Sequence, residues 1–157
     1  MDSRMAEAFR SMPYGIYILT ARKGSDLFPV VVSWVSQVSF SPPRLVVALR
    51  HNRKAIPAIR ESGFFSLSLL SKDQKAMLFR FKDPHVQSGG KELWEEEDSI
   101  RAPILRECLA GWRCRLFSTL EAGDHFLFLG EVESVFTGKE GLPLTTQDLG
   151  KTYIGQA

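Results

Sequence analysis

Between positions 28 and 40 the chain alternates apolar and polar residues with a period of two. Val30, Val32, Trp34, Val38 and Phe40 fall on one face of a strand, and Ser33, Val35, Gln37 and Ser39 fall on the other. Hydroxyl groups interrupt the run at Ser33, Ser36 and Ser39. A buried hydroxyl needs a hydrogen-bond partner, so an ordinary core strand rarely holds three of them so close together. Pro42 and Pro43 cannot donate ladder hydrogen bonds and mark a corner before a second strand over residues 45–49. That strand runs into Arg50, Arg53 and Lys54. Serine donors on a strand followed by clustered cations suit a phosphorylated cofactor lying against a sheet.

The remaining pattern supplies short elements. Residues 5–12 read as a helix with Met5, Phe9 and Met12 on one face, stopped by Pro13. Residues 14–21 are strand-like, and residues 23–26 form the turn after them. Asn52 is placed to cap a helix that runs to Glu61, with Pro57 in its first turn and Gly63 as its stop. A strand over residues 64–70 precedes a capping box, Ser71 with Gln74, for a helix over residues 72–81. Residues 82–100 carry the acidic run Glu95, Glu96, Glu97 and Asp98 and read as a solvated loop, with an acidic docking patch as the alternative. Two long strands, 109–120 and 125–136, flank a hairpin turn at residues 121–124, and the tail from Gly138 reads as irregular. About six strands with two or three short helices, and no βα alternation, predict a mainly β chain built as an antiparallel barrel.

At 157 residues the chain is long enough for one domain over residues 1–157 with its own core. The 44% hydrophobic and 24% charged fractions are those of a soluble globule. A net charge of +2, clustered only at residues 50–54, argues against nucleic acid as a partner. No apolar run is long enough to cross a bilayer, and the charged start MDSRMAEAFR does not suit a signal peptide, so the expected compartment is the cytoplasm. Cys108 and Cys114 are then free buried thiols, and their spacing lacks the further ligands of a zinc site; no metal is expected. G-x-G-x-x-G, P-loop and G-x-S-x-G motifs are all missing.

Four segments in order resemble the flavin reductase-like family of FMN-binding split barrels: FRSMPYGIYILTA, VVVSWVSQVSFSPPRLVVAL, AIRESGFFSLSLLSKDQKAMLFRF, and GWRCRL with EAGDHFLFLGEVE. The resemblance implies a homodimeric Greek-key split β-barrel with short flanking helices that binds FMN, or FAD, near the subunit interface. Carried over by position, it assigns Ser33, Trp34, Val35 and Ser36 to the isoalloxazine and ribityl-phosphate chain, and Ser39 to the ring. It assigns Arg50, Asn52, Arg53 and Lys54 to the phosphate, and His125 of Gly-Asp-His to the nicotinamide side. Trp34 shares a face with Val32 and Val38, so its side chain reads as core and its contact as a backbone one. The chain departs from the family at Val31-Val32, where many relatives place a methionine and a threonine, and at HNRKA, which replaces a hydroxyl-bearing phosphate loop.

The implied activity is hydride transfer from NAD(P)H to FMN, with electrons passed to free flavin, a partner oxygenase or another acceptor. Such chemistry needs positioned rings more than a protein acid or base. Two rivals stand beside it: an FMN-carrying electron-transfer protein that never meets a nicotinamide, and a flavin-free dimeric interaction barrel. His51 beside the cations suits either a phosphate contact or a solvated loop, and His85 receives no role.

Overall fold

The computed structural model describes residues 1–82 and 90–150. A short helix, α1 (Ser3–Arg10), is capped by Asp2, whose carboxylate accepts from the Met5 N–H at 2.9 Å. The hairpin β1 (Tyr17–Lys23) and β2 (Asp26–Val32) follows, then β3 (Val35–Phe40) and β4 (Pro43–Arg50). Next come α2 (Ala55–Ser62), β5 (Phe64–Leu69), a 3-10 turn at Lys72–Gln74 and α3 (Ala76–Lys82). A small pair, β6 (Trp94–Glu95) and β7 (Ile104–Leu105), leads to the long hairpin β8 (Ala110–Ala122) and β9 (His125–Thr137).

Seven strands form one antiparallel sheet in the order β2-β1-β5-β8-β9-β4-β3. The two edge strands, β2 and β3, are joined by only Ser33 and Trp34. That short link forces the sheet to curl until β2 approaches β4, and the Ala48 N–H donates to the Trp34 carbonyl at 3.0 Å. Among the described residues no ladder of hydrogen bonds closes the curl, so the mainly β antiparallel architecture is present without a closed barrel. One apolar cluster fills the inside of the curl, with Leu19, Val47, Leu49, Phe65 and Phe128 from the sheet and Ile56 and Ile59 from α2. A second, under α3, gathers Ile16, Ile18, Leu78, Trp94, Ile104 and Leu144. No helix is long and apolar enough to cross a membrane among the described residues.

Several expectations are corrected. The single strand over residues 28–40 is two strands, because the hydrogen-bonding partner changes from β1 to β4 at Ser33-Trp34. The alternation therefore loses its phase: Val32 is buried, while Phe40 is 91% exposed. Met5, Phe9 and Met12 do not bury a helix face, and Ala6 is the residue of α1 that does. Asn52 caps nothing, since α2 begins two residues past the expected start, with Lys54 at its N-cap. Pro57 does fall in the first turn and Gly63 takes the left-handed conformation (φ 76°) that ends the helix. The Ser71–Gln74 capping box forms, but it opens the 3-10 turn ahead of α3 rather than one continuous helix.

The acidic run is solvent-exposed and, past Glu95, a loop as expected, but it is tied down by ion pairs. Glu96 pairs with Arg22 at 2.6 Å, Glu97 with the buried Arg113 at 3.4 Å, and Glu95 with Arg106 at 3.4 Å. Ser134 also donates to Glu97 at 2.6 Å, and Arg113 donates to the Glu95 carbonyl at 2.7 Å. The segment is thus a strap tied across β1, β8 and β9 by charge-assisted bonds. Residues 83–89 of the expected loop, including His85, and Tyr153 of the tail lie outside the described residues.

Candidate functional site

A cleft of about 690 Å³ opens where the sheet curls back on itself. Its floor is Val30, Val31 and Val32 at the end of β2, continued by Ser33 and Trp34. These two residues are placed by the change of strand partner, since neither belongs to a ladder. The Val35 N–H closes a tight turn on the Ser33 carbonyl at 3.0 Å. One wall is the end of β4 with the following turn, which brings Arg50 and Arg53. The other comes from α3, through Leu78, Phe81 and Lys82, with Arg10 at the end of α1.

His125 is the first residue of β9 and lies opposite Arg50 in the ladder. It is only 5% exposed. Its ring packs against Trp34 with centroids 4.7 Å apart, and Trp34 in turn lies 6.5 Å from Tyr14. Trp34 therefore presents its side chain to the cleft instead of joining the core. Nδ1 of His125 lies 2.6 Å from an Asp124 carboxylate oxygen. That carboxylate is held below the usual range, chiefly by the hydrogen bond from His125, with smaller help from the charges of His125 and Arg50. An ionised acceptor at Nδ1 fixes a proton there, so that in the neutral ring Nε2 is the acceptor nitrogen. The His51 N–H donates to the Asp124 carbonyl at 3.2 Å, which ties the β4–α2 turn to the β8–β9 turn.

The structure brings Ser33, Trp34, Arg50, Arg53 and His125 to this one cleft. It does not bring the rest. Val35 and Ser36 line a separate pocket of about 330 Å³, with Gln37, Arg44 and Trp112, because β3 leaves the cleft as it joins β4. Ser39 sits opposite Arg44, past an irregularity in the β3–β4 register. Asn52 and Lys54 are exposed in the turn before α2 and do not line the cleft. His51 stacks on Phe126 at 4.2 Å, outside the cleft lining.

Sequence reasoning missed Arg10, Lys82 and Thr146, all of which line the cleft. The two cations looked like ordinary helix-end charges. Thr146 lies in the tail read as irregular, where its N–H donates to the Tyr14 carbonyl at 2.9 Å and its hydroxyl accepts from the Tyr14 N–H at 3.1 Å. Pairing over 132 residues leaves no local signal. Among the described residues no cluster of histidine, cysteine, aspartate and glutamate could hold a metal ion.

A family model described as the flavin reductase like domain matches residues 9–154. The chain belongs to that family. This flavin reductase-like chain is 30% identical over 145 residues to the reductase component of 4-hydroxyphenylacetate 3-monooxygenase from Thermus thermophilus, covering 92% of this chain and 91% of the relative. It is 31% identical over 148 residues to diflavin flavoprotein A 1 of Synechocystis sp., covering 90% of this chain but 26% of the relative. The chain thus spans about a quarter of the length of the diflavin flavoproteins it matches. Among solved structures, the styrene monooxygenase flavin reductase from Pseudomonas putida S12 superposes with a TM-score of 0.76 at 26% identity, over 92% of this chain and 91% of that one.

Proposed function

We propose that this flavin reductase-like domain binds a flavin in the 690 Å³ cleft and reduces it with NADH or NADPH. FMN is the first choice and FAD the alternative. Electrons then pass to free flavin, a partner oxygenase or another acceptor. One observation carries the reading: the cleft unites the Ser33-Trp34 link, His125 and the Arg50–Arg53 corner, with no carboxylate in its described lining. A cleft of that volume is in the range that buries a flavin-sized ligand. Its donor set fits as well, with guanidinium forks for a phosphate and an aromatic pair beside an apolar floor.

When bound, the flavin supplies the hydride chemistry. Arg50 and Arg53 would neutralise its phosphate, and the backbone of Ser33 and Trp34 would meet the edge of the ring. Trp34 packs on the His125 ring while Asp124 holds its Nδ1 proton, so the imidazole is kept in one tautomer and one orientation. The valines of β2 exclude water from one side. Val35, Ser36, Ser39, Asn52 and Lys54 take no part in this proposal.

The test is steady-state oxidation of NADH and NADPH by purified protein supplied with FMN, followed as loss of nicotinamide absorbance. The expected result is flavin-dependent turnover that slows in His125→Ala; no turnover with either nicotinamide would remove the reductase claim. The match to a quarter of the longer diflavin flavoproteins favours a second reading, an FMN-carrying electron-transfer module that receives electrons from another protein. On that reading the protein is yellow and inert to NAD(P)H, and His125→Ala changes nothing.

The curled sheet is further proposed to be a split barrel that works as a homodimer in the cytoplasm. Apolar side chains on β3, β8 and β9 support the dimer, since Phe40, Phe117 and Val135 stand in solvent and border the smaller pocket's strands. Sedimentation should give twice the chain mass for the parent and the chain mass for Phe40→Glu. A parent that sediments as a monomer would remove the proposed dimer.

A further inference from the structure

Charge is partitioned in this molecule between answered and unanswered arginines. Arg22, Arg44, Arg101, Arg106, Arg113 and Arg115 all pair with carboxylates. Arg4, Arg60 and Arg80, outside the cleft, take part in no ion pair among the described residues, and neither do the cleft's own Arg10, Arg50 and Arg53, where Arg50 has only the field of Asp124 nearby; what sets the cleft apart is that three such arginines line one surface. Lys82 makes a fourth cation in the lining, and no described lining residue is acidic. The excess is local, because the whole chain carries only +2. Four like charges facing one cleft repel one another unless anions enter it.

A flavin phosphomonoester brings about two negative charges, which Arg50 and Arg53 suffice to answer. Those two come from a single corner, the end of β4 and the turn after it. Arg10 and Lys82 come from elsewhere, each the last residue of its helix, and α3 packs on β2 rather than belonging to the phosphate corner. Cations at helix C-termini are favoured by the helix dipole, which accounts for their position in sequence. It does not account for both helices ending at the same cleft, whose described lining holds no carboxylate.

We infer that Arg10 and Lys82 form a second anion-binding pole of the cleft, which takes the pyrophosphate of the nicotinamide co-substrate while Arg50 and Arg53 take the flavin phosphate. The inference rests on the proposed reductase reading. It makes Arg10 and Lys82 specificity-determining residues for a dinucleotide over a nicotinamide mononucleotide. A pyrophosphate carries the two charges that remain to be matched, and its oxygens accept from both a guanidinium fork and an ammonium. The same chemistry could come from the pyrophosphate of FAD, so the experiment must separate the two sources.

The experiment titrates FMN-loaded protein with ADP-ribose, which keeps the pyrophosphate and lacks the nicotinamide, and measures heat directly. The double variant Arg10→Gln, Lys82→Gln should bind ADP-ribose roughly five- to twentyfold more weakly, the effect of charge-assisted bonds discounted for exposed side chains. KM for NADH should rise by the same factor, with saturated turnover, FMN affinity and the melting temperature of ligand-free protein unchanged. Arg10→Lys with Lys82→Arg should restore binding. Unchanged ADP-ribose affinity in the double variant would overturn the inference, and so would a loss confined to FAD, which would assign the second anion to the flavin. A drop in melting temperature without loss of affinity would reduce both residues to helix-end charges. If the parent protein takes up FMN and oxidises NADH, these outcomes judge the second pole alone; if it does neither, the reductase reading falls and the second pole with it.

Discussion

Removing the two arginines of the phosphate corner separates recognition of the phosphate from recognition of the ring. Arg50 is half-buried at the end of β4, Arg53 is exposed in the next turn, and both line the cleft. Two unit charges 4 Å apart interact by about 1 kcal/mol in bulk water and about 4 kcal/mol at the effective dielectric of a protein surface. The exposed Arg53 belongs near the lower limit, about 1 kcal/mol, and the half-buried Arg50 between the limits, about 2 kcal/mol. At 1.4 kcal/mol per decade these become about fivefold for Arg53→Ala and about thirtyfold for Arg50→Ala in Kd for FMN. Riboflavin, which has no phosphate, is the control. Its affinity should stay constant while the advantage of FMN over riboflavin shrinks by about 150-fold in the double variant, to within the error of additivity for neighbouring sites. The assay is quenching of flavin fluorescence on titration with protein, beside a melting curve of each variant without ligand. The reasoning is refuted if the parent binds riboflavin as tightly as FMN, or if the variants lose both ligands equally at unchanged melting temperature.

Three further outcomes follow from the frame around the cleft. The N–H groups of Arg101 and Ile100, with the Arg101 side chain, hold the Asp98 carboxyl down to about 2. A depressed carboxylate stabilises above its usual value of about 4 and loses that contribution as pH falls through its folded value, so the melting-temperature gap between parent and Asp98→Ala should close between about pH 4 and 2. A gap independent of pH there would contradict this. Burial pushes the Cys108 thiol up to about 11 and Cys114 up to about 12, so the native protein should resist aromatic disulfide reagents at pH 8 and react only once unfolded; rapid labelling of folded protein would count against it. A methyl group at Gly130 would sit 2.5 Å from the Phe65 ring and 2.6 Å from the Cys114 Cβ, both in the core, so Gly130→Ala should cost about 1–3 kcal/mol and lower Tm by about 2–12 °C in calorimetry. An unchanged Tm would show that the close approach relaxes freely.

How far the sequence revealed this depended on the range of each signal. The cationic corner was legible because three cations within five residues form a local anomaly, and two of them, Arg50 and Arg53, line the cleft. The capping box at Ser71 and the stop at Gly63 were legible for the same reason, since a cap is decided by its own neighbours. The break at Ser33-Trp34 was not. Apolar alternation continues across it, and only the switch from β1 to β4 as partner, a fact of topology, ends one strand and begins the next. Trp34 was misjudged for that reason, and its packing on His125 could not be foreseen. The ion pairs that tie down the acidic run were missed because its partners Arg22 and Arg113 are distant in sequence. Arg10 and Lys82 belong to the same class: a charge at a helix end looks the same whether it faces solvent or a cleft.

Diffraction from crystals grown with FMN tests the central claim most directly. The account predicts flavin density in the larger cleft, its ring beside Trp34 and His125 and its phosphate on Arg50 and Arg53. Flavin in the smaller pocket beside Val35 and Ser36, or a larger cleft that stays empty at saturating FMN, would contradict it.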